Sequence, residues 1–227
     1  EMILGDLEAQ IAANEVGARR LLALMEEYGL ADLIELAEEI QGRSERAMRD
    51  IIKGLPKGTY RAEGWADGET HPLKIAVAVT IGDSEIVADY AGTDPQIEFG
   101  GINCTYIYAA ADTVYCLKCV LAPHIPHNEG STRPLKVCAP EGSLLNCTFP
   151  AAVNRRTHVG WHVHEIIFAA LAQILPERVT AGPGLLQTIR VVGTYPNGKG
   201  YNAPIFAGGG RGGGCGGFAL AAHAGRW

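Results

Sequence analysis

The sequence lacks the marks of a chain destined for a membrane, for nucleic acid or for export. No apolar run approaches the roughly 18 to 20 residues needed to span a bilayer. There is no basic run either: 19 Lys and Arg stand against 25 Asp and Glu, a net charge of −6. That balance gives no electrostatic footprint for a polyanion. The opening residues, Glu1 to Asp6, have neither the basic start nor the apolar core of a signal peptide, which points to the cytoplasm. Cysteine is sparse and irregularly spaced, with six residues at 104, 116, 119, 138, 147 and 215. A chain of this size needs no disulfide framework, so free thiols are expected. The pair Cys116 and Cys119 has redox or metal spacing, but it sits inside the apolar run Thr113–Leu121, where cysteine packs as a small hydrophobe.

What is present is a globular composition. Hydrophobic residues make up 47% and charged residues 19% of 227, enough for one large domain or two small ones. Residues 6 to 28 and 31 to 53 carry apolar side chains at spacings of three and four and read as helices, with Gly29 as a stop. Gly42 is expected to break or bend the second, and Gly54 and Pro56 end it.

The period then shortens. Tyr60–Trp65, Leu73–Ile81 and Glu85–Tyr90 read as strands of an antiparallel meander, with Gly82-Asp83 as a turn. Residues 103–121 and 157–175 read as buried helices, and Leu135–Ala139, Leu185–Val192 and Tyr201–Phe206 as further strands. The expected fold is α+β, with long amphipathic helices packed on a mixed or antiparallel β-sheet. A helical segment over 1–56 is expected to precede an α+β body over 57–227. Gly208–Gly217 holds eight glycines in ten residues, a flexible loop or chain end, or a backbone cradle for an anion.

Several side chains are candidates for chemistry. His158 and His162 lie four apart, on one helix face, and can grip one metal. His164 points away from them, and partly buried, hydrogen-bonded histidines are the competing reading. His124 and His127 flank Ile125-Pro126 in a loop, as ligands or as surface residues. Asp89 and Asp94 surround Gly92 in a tight turn, which either presents a carboxylate or simply uses Asp as a turn former. Asp6, Gln10 and Asn14 form a polar stripe at i, i+4 and i+8, solvated or substrate-facing. Arg133 before Pro134 can hold a carboxylate or phosphate by a bidentate fork, or make an ordinary salt bridge.

Five segments, in order, resemble the hydantoinase B/5-oxoprolinase family. They are Gly5–Asn14 with Gly17–Leu21 and Tyr28-Gly29; Asp89–Gln96 with Gly101–Asn103; Ile125–Gly130 with Arg133-Pro134; Ala139–Asn146 with Pro150–Val153; and Ala170–Val179. Only Asn128 and Gly130 of the 125–130 segment match the family motif. After Phe206 the sequence departs from the family pattern, because Gly213–Phe218 carries no Asp of the usual Asp-Gly pair.

The resemblance implies the B-type component of an ATP-dependent cyclic amidohydrolase, opening hydantoin- or 5-oxoproline-like rings. It implies an A-type partner that binds ATP, and a divalent metal in the parent protein held by an Asp- and His-bearing segment outside this stretch. It implies a heteromeric assembly, in which an isolated fragment is inactive. Two other readings stay open: a subunit of an ATP-dependent ketone carboxylase, and a non-catalytic fragment that binds the A-type partner. With the resemblance beside them, Asp6, Gln10, Asp89, Asn128 and Arg133 are the candidate catalytic residues; His158 and His162 are candidate metal ligands by their spacing, at positions where the family does not place histidines.

Overall fold

A computed structural model describes residues 2–182 and 187–207. The chain runs through helices α1 (Met2–Tyr28) and α2 (Ile34–Lys53), then strands β1 (Gly58–Ala66), β2 (Leu73–Ile81) and β3 (Ile86–Asp89). Helix α3 (Tyr106–Leu121) and the single-turn α4 (Glu129–Thr132) lead to β4 (Leu135–Cys138). Helix α5 (Thr157–Leu171) and a short 3₁₀ turn at Pro176–Arg178 precede a hairpin of β5 (Gln187–Thr194) and β6 (Gly200–Ala207).

The main sheet has the order β1-β2-β3-β4. The first three strands form the expected antiparallel meander, while β4 joins β3 in parallel. The sheet is therefore mixed and the fold is α+β. Strand β2 sets its register: Leu73, Ile75, Val77, Val79 and Ile81 are buried at period two. Ala66, Gly64 and Ala62 of β1 lie opposite Leu73, Ile75 and Val77. Helix α5 covers this face with Val159, Val163, Ile166, Ile167 and Ala170. The helix comes close at Gly64, where a Cβ would lie 3.1 Å from Ile166 Cγ2.

Helix α2 continues unbroken through Gly42 and buries Met48 and Ile52 in the same core. It also contacts α4, a turn that reads as loop in the sequence because Pro126 precedes it and Gly130 lies within it. Helix α5 ends at Leu171, earlier than its apolar run suggests; a turn follows before Pro176. Helix α1 has no buried side chain among those described, and Ile3, Leu4, Leu7, Ile11 and Leu22 are more than half exposed. No helix among the described residues is long and apolar enough to cross a membrane. The glycine-rich run Gly208–Gly217, with Cys215, lies outside the described residues.

Candidate functional site

Two of the family-like segments, 89–103 and 139–153, meet in the loops that follow β3 and β4. After β3, Asp89 Oδ1 accepts from Ala91 N at 2.9 Å, and Gly92 takes φ +94°, a conformation that favours glycine. Asp94 Oδ2 accepts from Lys74 N at 2.7 Å, tying the turn to β2. Residues 94–104 then zip onto 142–148. Leu144 N donates to Asp94 O at 2.9 Å, Gln96 N to Gly142 O at 2.8 Å and Cys104 N to Leu144 O at 2.7 Å. Gln96 Oε1 accepts from Thr148 N, and the buried Asn103 bonds both ways to the Ile97 backbone. Here Asp89 and Asp94 serve backbone geometry.

Asn128 and Arg133 act together at a different place. The Asn128 side chain caps α4 by accepting from Ser131 N, and donates to Ser44 Oγ of α2 at 2.8 Å. Arg133 donates to Gln41 Oε1 at 2.8 Å and pairs with Glu45 at 3.2 Å; Glu45 in turn pairs with Arg49. Both residues lock α4 to α2. Asp6, Gln10 and Asn14 stand on the solvent-exposed α1.

The three histidines of α5 take separate partners. His158 Nε2 donates to Asp67 O at 2.9 Å, and His162 Nδ1 to Glu165 Oε2 at 2.9 Å. His162 Nε2 is buried and makes no hydrogen bond among the described residues. No group of three or more His, Cys, Asp or Glu is arranged to hold a metal ion among the described residues.

The densest chemistry lies where α3 meets α5. Asp112, in the middle of the apolar α3, puts Oδ1 3.6 Å from His164 Nε2, while its Oδ2 is buried without a partner among the described residues. The Trp161 and Tyr115 rings meet the His164 ring edge-on, at 5.6 and 6.1 Å between centroids. The Asp112 carboxylate, 3.6 Å from the ring nitrogen, raises the His164 pKa against the opposing effect of burial. Burial, helped by the Asp112 charge, pushes the Tyr108 phenol and the Cys104 thiol up to about 12. Arg156 lies 5.7 Å above the Tyr108 ring. An imidazole oriented by a carboxylate in partly dry surroundings is equipped to take or give a proton near neutral pH.

Tyr115 belongs to a second feature on the next face of α3. Together with Ile107 and Val114 it lines an open groove of about 470 Å³, whose polar lining is Lys118, His127 and Thr132. Lys118 is 7% exposed and donates to Ile125 O at 2.8 Å. Burial draws its pKa below the ordinary lysine value. Neither Asp112 nor Lys118 was a sequence candidate. The available signal was one acid and one base isolated in the otherwise apolar stretch 106–121, since such residues are rarely buried without a purpose.

The B-type subunit of a putative D-/L-hydantoinase of Pseudomonas sp. (strain NS671) is 37% identical over 206 residues, covering 85% of this chain and 35% of that protein. The crystal structure of the ATP-dependent caprolactamase of Pseudomonas jessenii superposes with a TM-score of 0.73 at 28% identity, over 87% of this chain and 35% of that one. Nucleotide-free acetone carboxylase superposes with a TM-score of 0.65 at 16% identity, over 74% of this chain and 26% of that one, a likeness of fold alone. The chain thus spans about a third of the length of the proteins it matches. The family model for hydantoinase B/oxoprolinase matches residues 1–225, which takes in every element from α1 to β6, and the chain belongs to that family.

Proposed function

We propose that this chain is part of the B-type component of an ATP-dependent enzyme that opens cyclic amides of the hydantoin or 5-oxoproline kind. It works in the cytoplasm with an A-type partner that binds ATP. The observation that carries the reading is the 37% identity to the B-type subunit of a hydantoinase over 85% of the chain.

An unactivated lactam is a poor electrophile. ATP-dependent phosphorylation of the ring carbonyl oxygen, the A-type partner's task, creates a leaving group; the B-type component then directs water onto the carbon. Within that division of labour two adjoining faces of α3 form one wall of the site. Ile107, Val114 and Tyr115 exclude water from a ring, and His164, held by Asp112, accepts a proton from the attacking water. The divalent metal that the family resemblance implies does not fit the described residues, because no three ligands converge among them.

The test is ATP turnover by the full-length protein assembled with its A-type partner, given 5-oxoproline, N-methylhydantoin, or acetone with bicarbonate. Ring opening independent of bicarbonate is the expected result. Strict dependence on bicarbonate would replace the hydrolase with a carboxylase, a reading that has behind it a likeness of fold alone, at 16% sequence identity.

A further inference from the structure

Helix α1 stands apart from the core. None of its side chains joins the hydrophobic cluster that α2, α3 and α5 build with the sheet. Ile3, Leu4, Leu7, Ile11, Leu21 and Leu22 are between 47% and 76% exposed. Propensity alone holds a solitary helix only marginally in water, and most helical stability comes from packing one face. A continuous run of exposed apolar side chains marks a surface made for contact.

The pattern of that surface names the kind of contact. Positions 4, 7, 11, 14, 18, 21, 25 and 28 follow one another at spacings of three and four without a break, and all but Asn14 carry an apolar or aromatic side chain. A repeat of 3.5 residues is the seam of a left-handed pair of helices. The seam is about 36 Å long, so its partner is a helix of about seven turns crossing at about +20°.

Three polar residues set conditions on that partner. Asn14 sits in the middle of the seam and needs a polar group opposite. Glu8 and Glu15 lie seven apart along one edge of the seam, where ion pairs between helices choose the partner. A second copy of α1 brings no cation there. In a parallel pair Ile3 and Gln10 would meet Glu8 and Glu15; in an antiparallel pair Leu22 would meet Glu8, and the two Glu15 would meet each other. The hydantoinase subunit and the caprolactamase chain both extend well beyond the match, which covers 35% of each, so a covering helix has a source within the B-type component.

We propose that α1 is the docking surface for a long amphipathic helix in the part of the B-type component outside these 227 residues, with Lys or Arg beside Glu8 and Glu15. The inference rests on the reading of this chain as part of a larger B-type component, and is independent of the chemistry assigned to it.

The experiment uses the full-length B-type component without its A-type partner. Amide hydrogen exchange over residues 2–28 should be at least about a hundredfold slower than in an unstructured chain. Ile11→Ala, in the seam, should speed it about tenfold or more, while Val16→Ala, on the far side of the helix, should change it less than about threefold. Exchange of β2 in the same samples reports that the domain is folded. Glu8→Lys with Glu15→Lys should also speed exchange in α1, and salt should shrink the effect. Fast exchange in wild type, equal effects of the two alanines, or indifference to the charge reversal overturns the proposal. So does protection that appears only when the A-type partner is added.

A photoreactive benzophenone amino acid in place of Ile11 identifies the occupant. The expected link joins position 11 to the same chain outside the 227 residues. A link to a second copy, read from a mixture of isotope-labelled and unlabelled protein, a link within these residues, or no link overturns the assignment. A protected α1 in a complex that opens no cyclic amide would sink the hydrolase reading and keep this one. Ring opening with α1 unprotected would do the reverse.

Discussion

Gly130→Ala should unfold the contact between α2 and α4. Gly130 lies in the first turn of α4 with its Cα against the α2 backbone. An added Cβ would overlap the Gln41 carbonyl oxygen and lie 2.5 Å from its carbonyl carbon and 2.7 Å from its Cα. None of these atoms can swing aside, because all belong to the backbone of a helix interior. Carbon contacts settle near 3.5 to 4.0 Å, so α4 must retreat from α2 by on the order of 1 Å. That retreat stretches the Asn128–Ser44 and Arg133–Gln41 hydrogen bonds, both 2.8 Å.

Overpacking of this kind costs about 1 to 3 kcal/mol, and a lost hydrogen bond about 1 kcal/mol. The helix propensity of alanine returns at most about 1 kcal/mol. The expected net loss is about 2 kcal/mol. Gly42→Ala is the matched control. Gly42 sits in the middle of α2, and its nearest foreign atom is Arg46 Nη1 at 3.2 Å, the end of a flexible side chain. It should gain about 0.5 to 1 kcal/mol. Urea denaturation followed by circular dichroism, with wild type alongside, reads both. Two alanines that shift stability in the same direction, or a Gly130→Ala within about 0.5 kcal/mol of wild type, would refute the packing argument.

Two other outcomes follow from the α3–α5 seam. The Asp112 carboxylate raises the His164 pKa, so the folded state favours the protonated ring. Its stabilising contribution is fully present below the ordinary histidine value of 6.5 and is lost as pH rises through the raised value. The stability difference between wild type and Asp112→Asn should therefore narrow as pH climbs past 6.5; a difference constant with pH would discount the pair. Thiol labelling at neutral pH should divide the cysteines by burial. Cys119 and Cys138 are exposed and should react fast, while Cys104, held up to about 12, and Cys116, also raised by burial, should react only after unfolding. Rapid labelling of Cys116 in the native state would reopen the redox reading of its pair with Cys119.

Where the sequence was legible, one-dimensional patterning controlled the outcome. Strand β2 was bounded correctly because five buried positions alternate without interruption between Gly68 and the Gly82 turn. Helices α1 and α2 were located by their apolar spacing, and α3 and α5 as continuous apolar segments, with ends shifted by a few residues. The parallel direction of β4 could not be read, since four residues, Leu135–Cys138, carry no mark of which neighbour they will join. Helix α4 was hidden because its capping box pairs Asn128 with Ser131 rather than with Glu or Gln.

The candidate site was less visible than the fold. Family motifs drew the eye to Asp89, Asn128 and Arg133, whose bonds here hold loops and helices in place. His158 and His162 drew it to a shared helix face, yet His158 bonds to the Asp67 carbonyl and His162 turns to Glu165, while His164, set apart from them, crosses to Asp112. Partners supplied by another helix are invisible in a linear reading. Asp112 and Lys118 become meaningful only once α3 has neighbours.

The parallel pairing of β4 with β3 also sets an order of assembly. The hairpin steps from β1 to β3 close short loops and need nothing but adjacent residues. The last strand must wait until the chain has left the sheet, wound α3, turned through α4 and come back. Its closure is entropically the most demanding event in the sheet, and non-local pairings of this sort are the slow ones. Until it happens, β3 is an open edge, and Ile86 N and Tyr90 N lack the Pro134 and Cys138 carbonyls they bond to in the finished fold. A nascent chain halted before residue 135 would expose a strand template to any neighbour, so the interval between making β3 and making β4 is when this protein is most open to mispairing.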